Sequence, residues 1–231
     1  MITSKELFLL ARDIGEQDKR RHHYIYNAYR RGLKNYRLFS TGEVVKHQLG
    51  DKLPKYLIDF INSHGEVLLV ANVVRNTVAQ MMVRSLEGKE FAVYGKQNSV
   101  PYGIGKLAGD FRYGDWIVLV EGVLDRDSLL HIYPNICAVL TAGASLTQRE
   151  ILRYLTNRII LLYDHDKAGQ EGTMKDKRQF AKLGMDVVTF PQPEGVKDSG
   201  ILAELLFQGK LYDYELMEDY YRSWLTSLTA Q

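Results

Sequence analysis

The run Ile159-Ile160-Leu161-Leu162-Tyr163 ends abruptly in Asp164-His165-Asp166, and this junction limits what the chain can fold into more than any other feature. An unbroken apolar run of this length, bounded by polar residues, describes a strand buried on both faces, as in a parallel sheet covered by helices. Its two acids then lie just past the carboxyl end of the strand. In open α/β sheets that edge is where ligands bind. Carboxylates one residue apart suit a hard divalent cation, which prefers oxygen ligands, and Gly169 lets the backbone turn tightly into a following helix. Taken alone, the same acids serve equally well as solvated helix caps, a position that Asp favours.

The surrounding sequence repeats the pattern. Strand-like runs at 117–120, 136–140, 159–163 and 187–190 alternate with helical periodicity near 124–132, 147–156 and 169–183, a βαβ signature that predicts an α/β fold with a parallel sheet flanked by helices. Right-handed crossovers bring the carboxyl ends of such strands to one edge. The residues expected there are Glu121-Gly122, Thr141-Ala142-Gly143, Asp164-His165-Asp166 and, after a longer loop, Gly195-Val196-Lys197-Asp198. Glu121, Asp164, Asp166 and Asp198 thus converge from three separated segments, which scattered surface acids would rarely do. The balance moves from caps towards a site.

The first half reads differently. Thr3 and Glu6 form a Thr-x-x-Glu capping box ahead of Leu7, Leu10, Ala11 and Ile14, which predicts an amphipathic helix over 3–14. A second helix is expected at 55–61, with Pro54 at its start. Short β-prone runs at 67–71, 80–86 and 91–94 suggest a small antiparallel unit. Between residues 19 and 37, Arg30, Arg31 and other basic side chains alternate with Tyr24, Tyr26, Tyr29 and Tyr36. Cations can meet phosphates while aromatic faces stack on unpaired bases; tyrosines at helical spacing also serve as core or rim residues. A soft boundary near residue 112 would separate this α+β subdomain, 1–112, from the α/β part.

Charge and cysteine content narrow the function classes. Overall charge is only +2, but residues 1–55 hold twelve Lys/Arg against six Asp/Glu, a local +6, whereas residues from 200 onward hold two against five, a local −3. A polyanion partner near the amino-terminal half is one reading; a solvated helix face is the other. The single cysteine, Cys137, excludes an internal disulfide and a cysteine-rich zinc module, and in a buried strand it reads as a small apolar residue. No apolar run reaches the roughly 18 residues that span a bilayer, and the amino terminus lacks a secretory pattern. A cytoplasmic protein is expected.

Glu121-Gly122-x-x-Asp125 after one strand, Asp164-x-Asp166-x-Ala168-Gly169 after another, Thr141-Ala142-Gly143 between them and Lys197-Asp198 further on resemble, in order, the motifs of the TOPRIM domain, and most closely those of DnaG-type primases. The match covers roughly residues 116 to 205. It implies a TOPRIM domain over 113–206, a basic subdomain before it and a short helical tail over 207–231. One departure is plain: the last loop reads Lys-Asp-Ser-Gly, so Gly200 stands where the family carries a further acid, and either a metal position is weakened or Glu204 compensates.

The resemblance also implies chemistry. Mg²⁺ or Mn²⁺ would be held by Glu121, Asp164, Asp166 and Asp198, with Glu121 either a ligand or the group that takes the hydroxyl proton. Catalysis would rest on Glu121, Asp164 and Asp166. Lys197 and Lys167 would meet triphosphate oxygens. Arg84, Lys89 and Lys96, together with Tyr102-Gly103, loosely match the basic segment that precedes TOPRIM in these primases, and nucleic-acid contact is expected there and at Arg30 and Arg31. Asp125, four residues after Glu121, is either an outer support or a helix cap. The expected activity is synthesis of short RNA primers from NTPs on single-stranded DNA, with a replicative helicase or a separate zinc-containing protein as partner, as in a compact phage system. A TOPRIM nuclease and a non-catalytic nucleic-acid module are the alternatives.

Overall fold

The computed structural model describes residues 1–15, 17, 37–39, 49–88, 90–96, 99–107, 109–130, 133–190 and 196. It divides into two compact units, Met1–Gln97 and Asn98–Gln231. Residues on the amino-terminal side of the expected boundary near 112 are bound within the second unit. Tyr102 N–H donates to Ala138 O at 2.8 Å and Ala138 N–H to Tyr102 O at 3.0 Å, while Ile104, Leu107 and Phe111 pack on the second unit's core.

In the first unit, helix α1 (Ser4–Leu10) is closed by the expected box: Thr3 Oγ1 accepts from Glu6 N–H at 3.2 Å, and Glu6 Oε2 accepts from Thr3 N–H at 2.8 Å. The helix stops four residues short of Ile14. Ala11 turns extended, and β1 (Ala11–Asp13) pairs antiparallel with β2 (Arg37–Phe39). A distant strand therefore supplies partners for backbone groups that the helical period assigned to a helix.

Helix α2 (Lys55–His64) begins after Pro54 and ends at Gly65, whose φ of 69° is a left-handed value that glycine tolerates. Leu57 and Ile61 bury its apolar stripe against Ile2, Leu7, Met81 and Val83. Strands β3 (Val67–Val74) and β4 (Thr77–Ser85) form a hairpin whose two turn residues, Arg75 and Asn76, have φ of 48° and 65°. Two positive φ values match the right-handed twist of the flanking strands. Strand β5 (Phe91–Tyr94) completes an antiparallel sheet in sequence order, β1-β2-β3-β4-β5.

The second unit is the expected parallel sheet. Strands β6 (Trp116–Val120), β7 (Ile136–Ala138), β8 (Arg158–Leu161) and β9 (Asp186–Thr189) lie in the order β7-β6-β8-β9, every pair parallel. All of β6 and β7 is buried, as their unbroken apolar runs require. The crossovers carry α3 (Val123–Leu129), α4 (Leu146–Leu155) and α5 (Lys167–Lys182). A second capping box, Ser145 with Gln148, opens α4, and the buried Gln148 also donates from Nε2 to Val139 O at 3.1 Å. Among the described residues no helix is long and apolar enough to cross a membrane.

Candidate active site

The strand order creates the crevice before any side chain is considered. From β6 the chain moves outward to β7 and then back past β6 to β8, so the winding reverses between β6 and β8. At such a switch point the loops leaving the carboxyl ends diverge and leave room for a ligand. Glu121 follows β6 directly, and Asp164 follows the end of β8. Leu162 N–H still reaches Leu119 O at 2.9 Å, and Asp164 N–H then donates to Glu121 Oε1 at 3.3 Å. Two of the expected acids are thereby joined across the switch point.

Backbone contacts hold the pair close. Leu140 N–H donates to Glu121 O at 2.9 Å, and Leu140 itself takes φ of 68°, an uncommon value for a residue with a side chain. Gly169, inside the first turn of α5, approaches both acids. A Cβ there would lie 2.1 Å from Asp164 O and 2.8 Å from Glu121 Oε1, so only glycine fits.

Glu121 is half-buried, and burial is the main reason its carboxyl is pushed up to about 7. The bond from Asp164 N–H opposes that shift, while the charges of Asp166 and Asp125 add to it. Asp125 lies in the first turn of α3 with its carboxylate folded over Gly122: a Cβ on Gly122 would sit 2.3 Å from Asp125 Oδ2. From that position the charge of Asp125 adds to the rise of Glu121.

Asp166 combines the two readings of its sequence position. It is the N-cap of α5, its Oδ1 accepting from Gly169 N–H at 2.8 Å, and it is exposed at the same edge as Glu121. Capping occupies one carboxylate oxygen. Lys167 is the exposed first residue of α5, and His165 is exposed, its carbonyl accepting from Gln170 Nε2 at 3.1 Å.

Among the described residues, no three His, Cys, Asp or Glu side chains gather into a self-sufficient metal cluster. The chemistry of the donors nevertheless fits a hard cation. All are carboxylates, a bound cation offsets both the burial and the neighbouring charges that raise Glu121, and Mg²⁺ ordinarily takes only one or two carboxylates beside water and phosphate oxygens. Asp198 and Lys197 lie outside the described residues, as do Gly200, Glu204, Arg30, Arg31 and Lys89.

Of the expected nucleic-acid contacts in the first unit, Arg84 and Lys96 are described. Arg84 faces Phe91 in the β4–β5 register, whereas Lys96 follows Gly95, which lies beside Ala79 and Gln80. They stand at opposite ends of β4, about 16 Å apart at the usual strand rise.

One group escaped the sequence reading. Asp176, fully buried in α5, accepts from Ala144 N–H at 2.5 Å, Tyr163 O–H at 2.7 Å and Arg149 Nη1 at 3.2 Å. The signal was there: Gly169, Gly172, Asp176 and Phe180 form the buried stripe of α5, so the helical period places an acid on the apolar face.

Residues 118–200 match the Toprim-like family. A DNA primase of Clostridium acetobutylicum is 33% identical over 84 residues, covering 36% of this chain and 14% of that protein. The chain covers less than a fifth of the length of the curated primases it matches. Among solved structures, the zinc-binding and RNA polymerase domains of the Aquifex aeolicus primase align with a TM-score of 0.66 at 18% identity, covering 90% of this chain and 56% of that one. A DnaG primase catalytic domain solved bound to single-stranded DNA aligns with a TM-score of 0.57 at 17% identity, covering 89% and 69%. The sheet order, the acid edge and these likenesses agree: residues 118–200 form a Toprim-like domain, and the chain has the fold of a DnaG-type primase catalytic core.

Proposed function

We propose that this chain is the catalytic core of a DNA primase, a nucleotidyltransferase that makes short RNA primers from NTPs on single-stranded DNA during replication in the cytoplasm. The observation that carries this reading is the meeting of Glu121 and Asp164 at the switch point of a parallel sheet, inside the Toprim-like match. The names of the relatives and the DNA bound to one structural neighbour support the same reaction and template.

Glu121, Asp164 and Asp166, with Asp198 further along the sequence, are the residues that would hold Mg²⁺ or Mn²⁺. When bound, such a cation supplies positive charge to the triphosphate as negative charge builds in the transition state. Asp164 presents its carboxylate from a backbone pinned by its own N–H to Glu121. Glu121, with a carboxyl near neutrality, is suited to exchange a proton with an attacking 3′ hydroxyl. Lys167, exposed beside Asp166, and Lys197 would meet triphosphate oxygens. Arg84, Lys96, Lys89, Arg30 and Arg31 would contact template phosphates, and a replicative helicase or a separate zinc-containing protein would direct the core to its template.

The test is direct. The protein is incubated with single-stranded templates, labelled NTPs and Mg²⁺ or Mn²⁺, beside Asp164→Asn. Short RNA made by the wild type and lost in the variant supports the primase reading. Shortened template in place of RNA supports a nuclease, and binding of DNA with neither product supports a non-catalytic module.

A further inference from the structure

The acid edge has a support behind it that the reaction itself does not require. The last described ladder bond of β8 towards β6 is Leu162 N–H to Leu119 O, and the next backbone tie is Asp164 N–H to Glu121. Tyr163 stands between them, and its phenol donates into Asp176 Oδ2 at 2.7 Å. The same oxygen accepts Ala144 N–H from the loop after β7, and Gly143 comes so near that a Cβ there would lie 3.2 Å from it. Arg149 from α4 donates to the other oxygen and also to Ala144 O. One carboxylate therefore gathers the end of β8, the loop after β7, helix α4 and helix α5.

Such an acid is an expensive way to fill a core. A desolvated carboxylate costs several kcal/mol before its partners compensate, and well-packed apolar side chains often serve stability as well. What an apolar residue cannot do is fix directions. Three donors on one carboxylate set where Tyr163 points, hence where the chain turns into Asp164, and tie that turn to the helix whose first residues include Asp166 and Gly169. Hydrogen bonds made directly to metal ligands orient them, and their loss typically weakens cation affinity about 10- to 100-fold; Asp176 and Tyr163 stand one step further back, so the lower end applies.

We propose that Asp176 is a positioning residue for the cation-binding edge, acting through Tyr163 on Asp164 and through α5 on Asp166. The proposal rests on the reading of Glu121 and Asp164 as a cation site. Its test uses the full chain and Mn²⁺ alone, with affinity read by paramagnetic resonance and folding by thermal unfolding without metal. Tyr163→Phe removes one hydroxyl, and Asp176→Asn removes the charge while keeping the shape. Phe180→Leu, one turn along the same buried stripe, perturbs the core while leaving every donor and acceptor of the network in the chain.

Wild-type binding with about 10-fold weaker binding by Tyr163→Phe and Asp176→Asn, and unchanged binding by Phe180→Leu, supports the proposal. Unchanged Mn²⁺ affinity in folded Tyr163→Phe overturns it and leaves the cation site intact. Equal weakening by Phe180→Leu also overturns it, since general loosening would then explain the loss. Failure of the wild type to bind Mn²⁺ removes both the proposal and the reading beneath it. Should Asp176→Asn not fold, Tyr163→Phe decides the matter alone.

Discussion

The two units solve the burial problem in opposite ways, and among the described residues the second solution is the one that gathers strand-end acids at one edge. In Met1–Gln97, the described strands are antiparallel and lie in sequence order, so among the described residues the strand order shows no reversal. In Asn98–Gln231, parallel strands are joined by helices, and the reversal at β6 and β8 opens a crevice lined by the residues that follow each strand. Polar residues in the first unit are spread along a sheet, as Arg84 and Lys96 are. In the second they are focused by topology.

The largest contrast should appear in chemistry. Asp164→Asn is expected to lower primer synthesis about 100-fold or more, as loss of a fixed charge at a reacting phosphoryl group does, while single-stranded DNA binding changes little. Arg84→Ala should do the reverse, weakening DNA binding and flattening its salt dependence, read by titration at several salt concentrations. Normal synthesis by Asp164→Asn would break the contrast.

Packing provides the next. Phe180→Ala removes a fully buried ring from the second unit's core and should cost about 3–5 kcal/mol in denaturant unfolding; Met81→Ala in the first core should cost about 2–5 kcal/mol. Glycine positions sharpen the difference. Gly169→Ala drives a methyl into Asp164 O and Glu121, so both stability and Mn²⁺ binding should fall. Gly65→Ala has open space around it and meets only backbone strain at φ 69° and ψ −109°, about 1–3 kcal/mol, with no effect on Mn²⁺ binding.

A smaller effect follows from Glu121. Its folded carboxyl is raised from 4.5 to about 7, so over that interval the native state holds more protons than the unfolded state, and metal-free stability should fall as pH rises. With half of the group screened by solvent, about 1–2 kcal/mol is expected, read as the thermal midpoint across pH 4.5 to 7. Glu121→Gln should flatten the curve, and Mn²⁺ should restore more stability at the upper end than at the lower.

The first unit carries the smallest pH effect. His64 Nε2 meets Glu90 Oε2 at 2.7 Å and Nδ1 meets Phe60 O at 2.8 Å, and these bonds, that to Phe60 foremost, raise the imidazole above 6.5. The contribution is fully present below 6.5 and lost as pH rises through the raised value. Glu90 is largely exposed, so His64→Gln should remove no more than about 0.5 kcal/mol of it.

Much of the second unit was readable in advance because burial on both faces writes a strand as an unbroken apolar run, with helical periods filling the gaps. The runs at 117–120, 136–140, 159–163 and 187–190 all became parallel strands, each within a few residues of its expected ends. Glu121 and Asp164 were legible as strand-end acids for the same reason. The first unit was less legible. Residues 11–13 carry a helical period yet pair with β2, and the Arg75-Asn76 turn lacks the glycine that usually announces such a hairpin.

By itself, then, the chain's sequence determined which segments of the second unit are strands, that their sheet is parallel, and which acids follow them, since each is a matter of local period and order. Only the tertiary structure decided that β8 lies beside β6 and so sets Asp164 against Glu121, that burial and neighbouring charge raise Glu121, and that Asp176 binds Tyr163, Ala144 and Arg149 together. These depend on contacts between residues tens of positions apart, and no local pattern encodes which distant donor a buried carboxylate will meet.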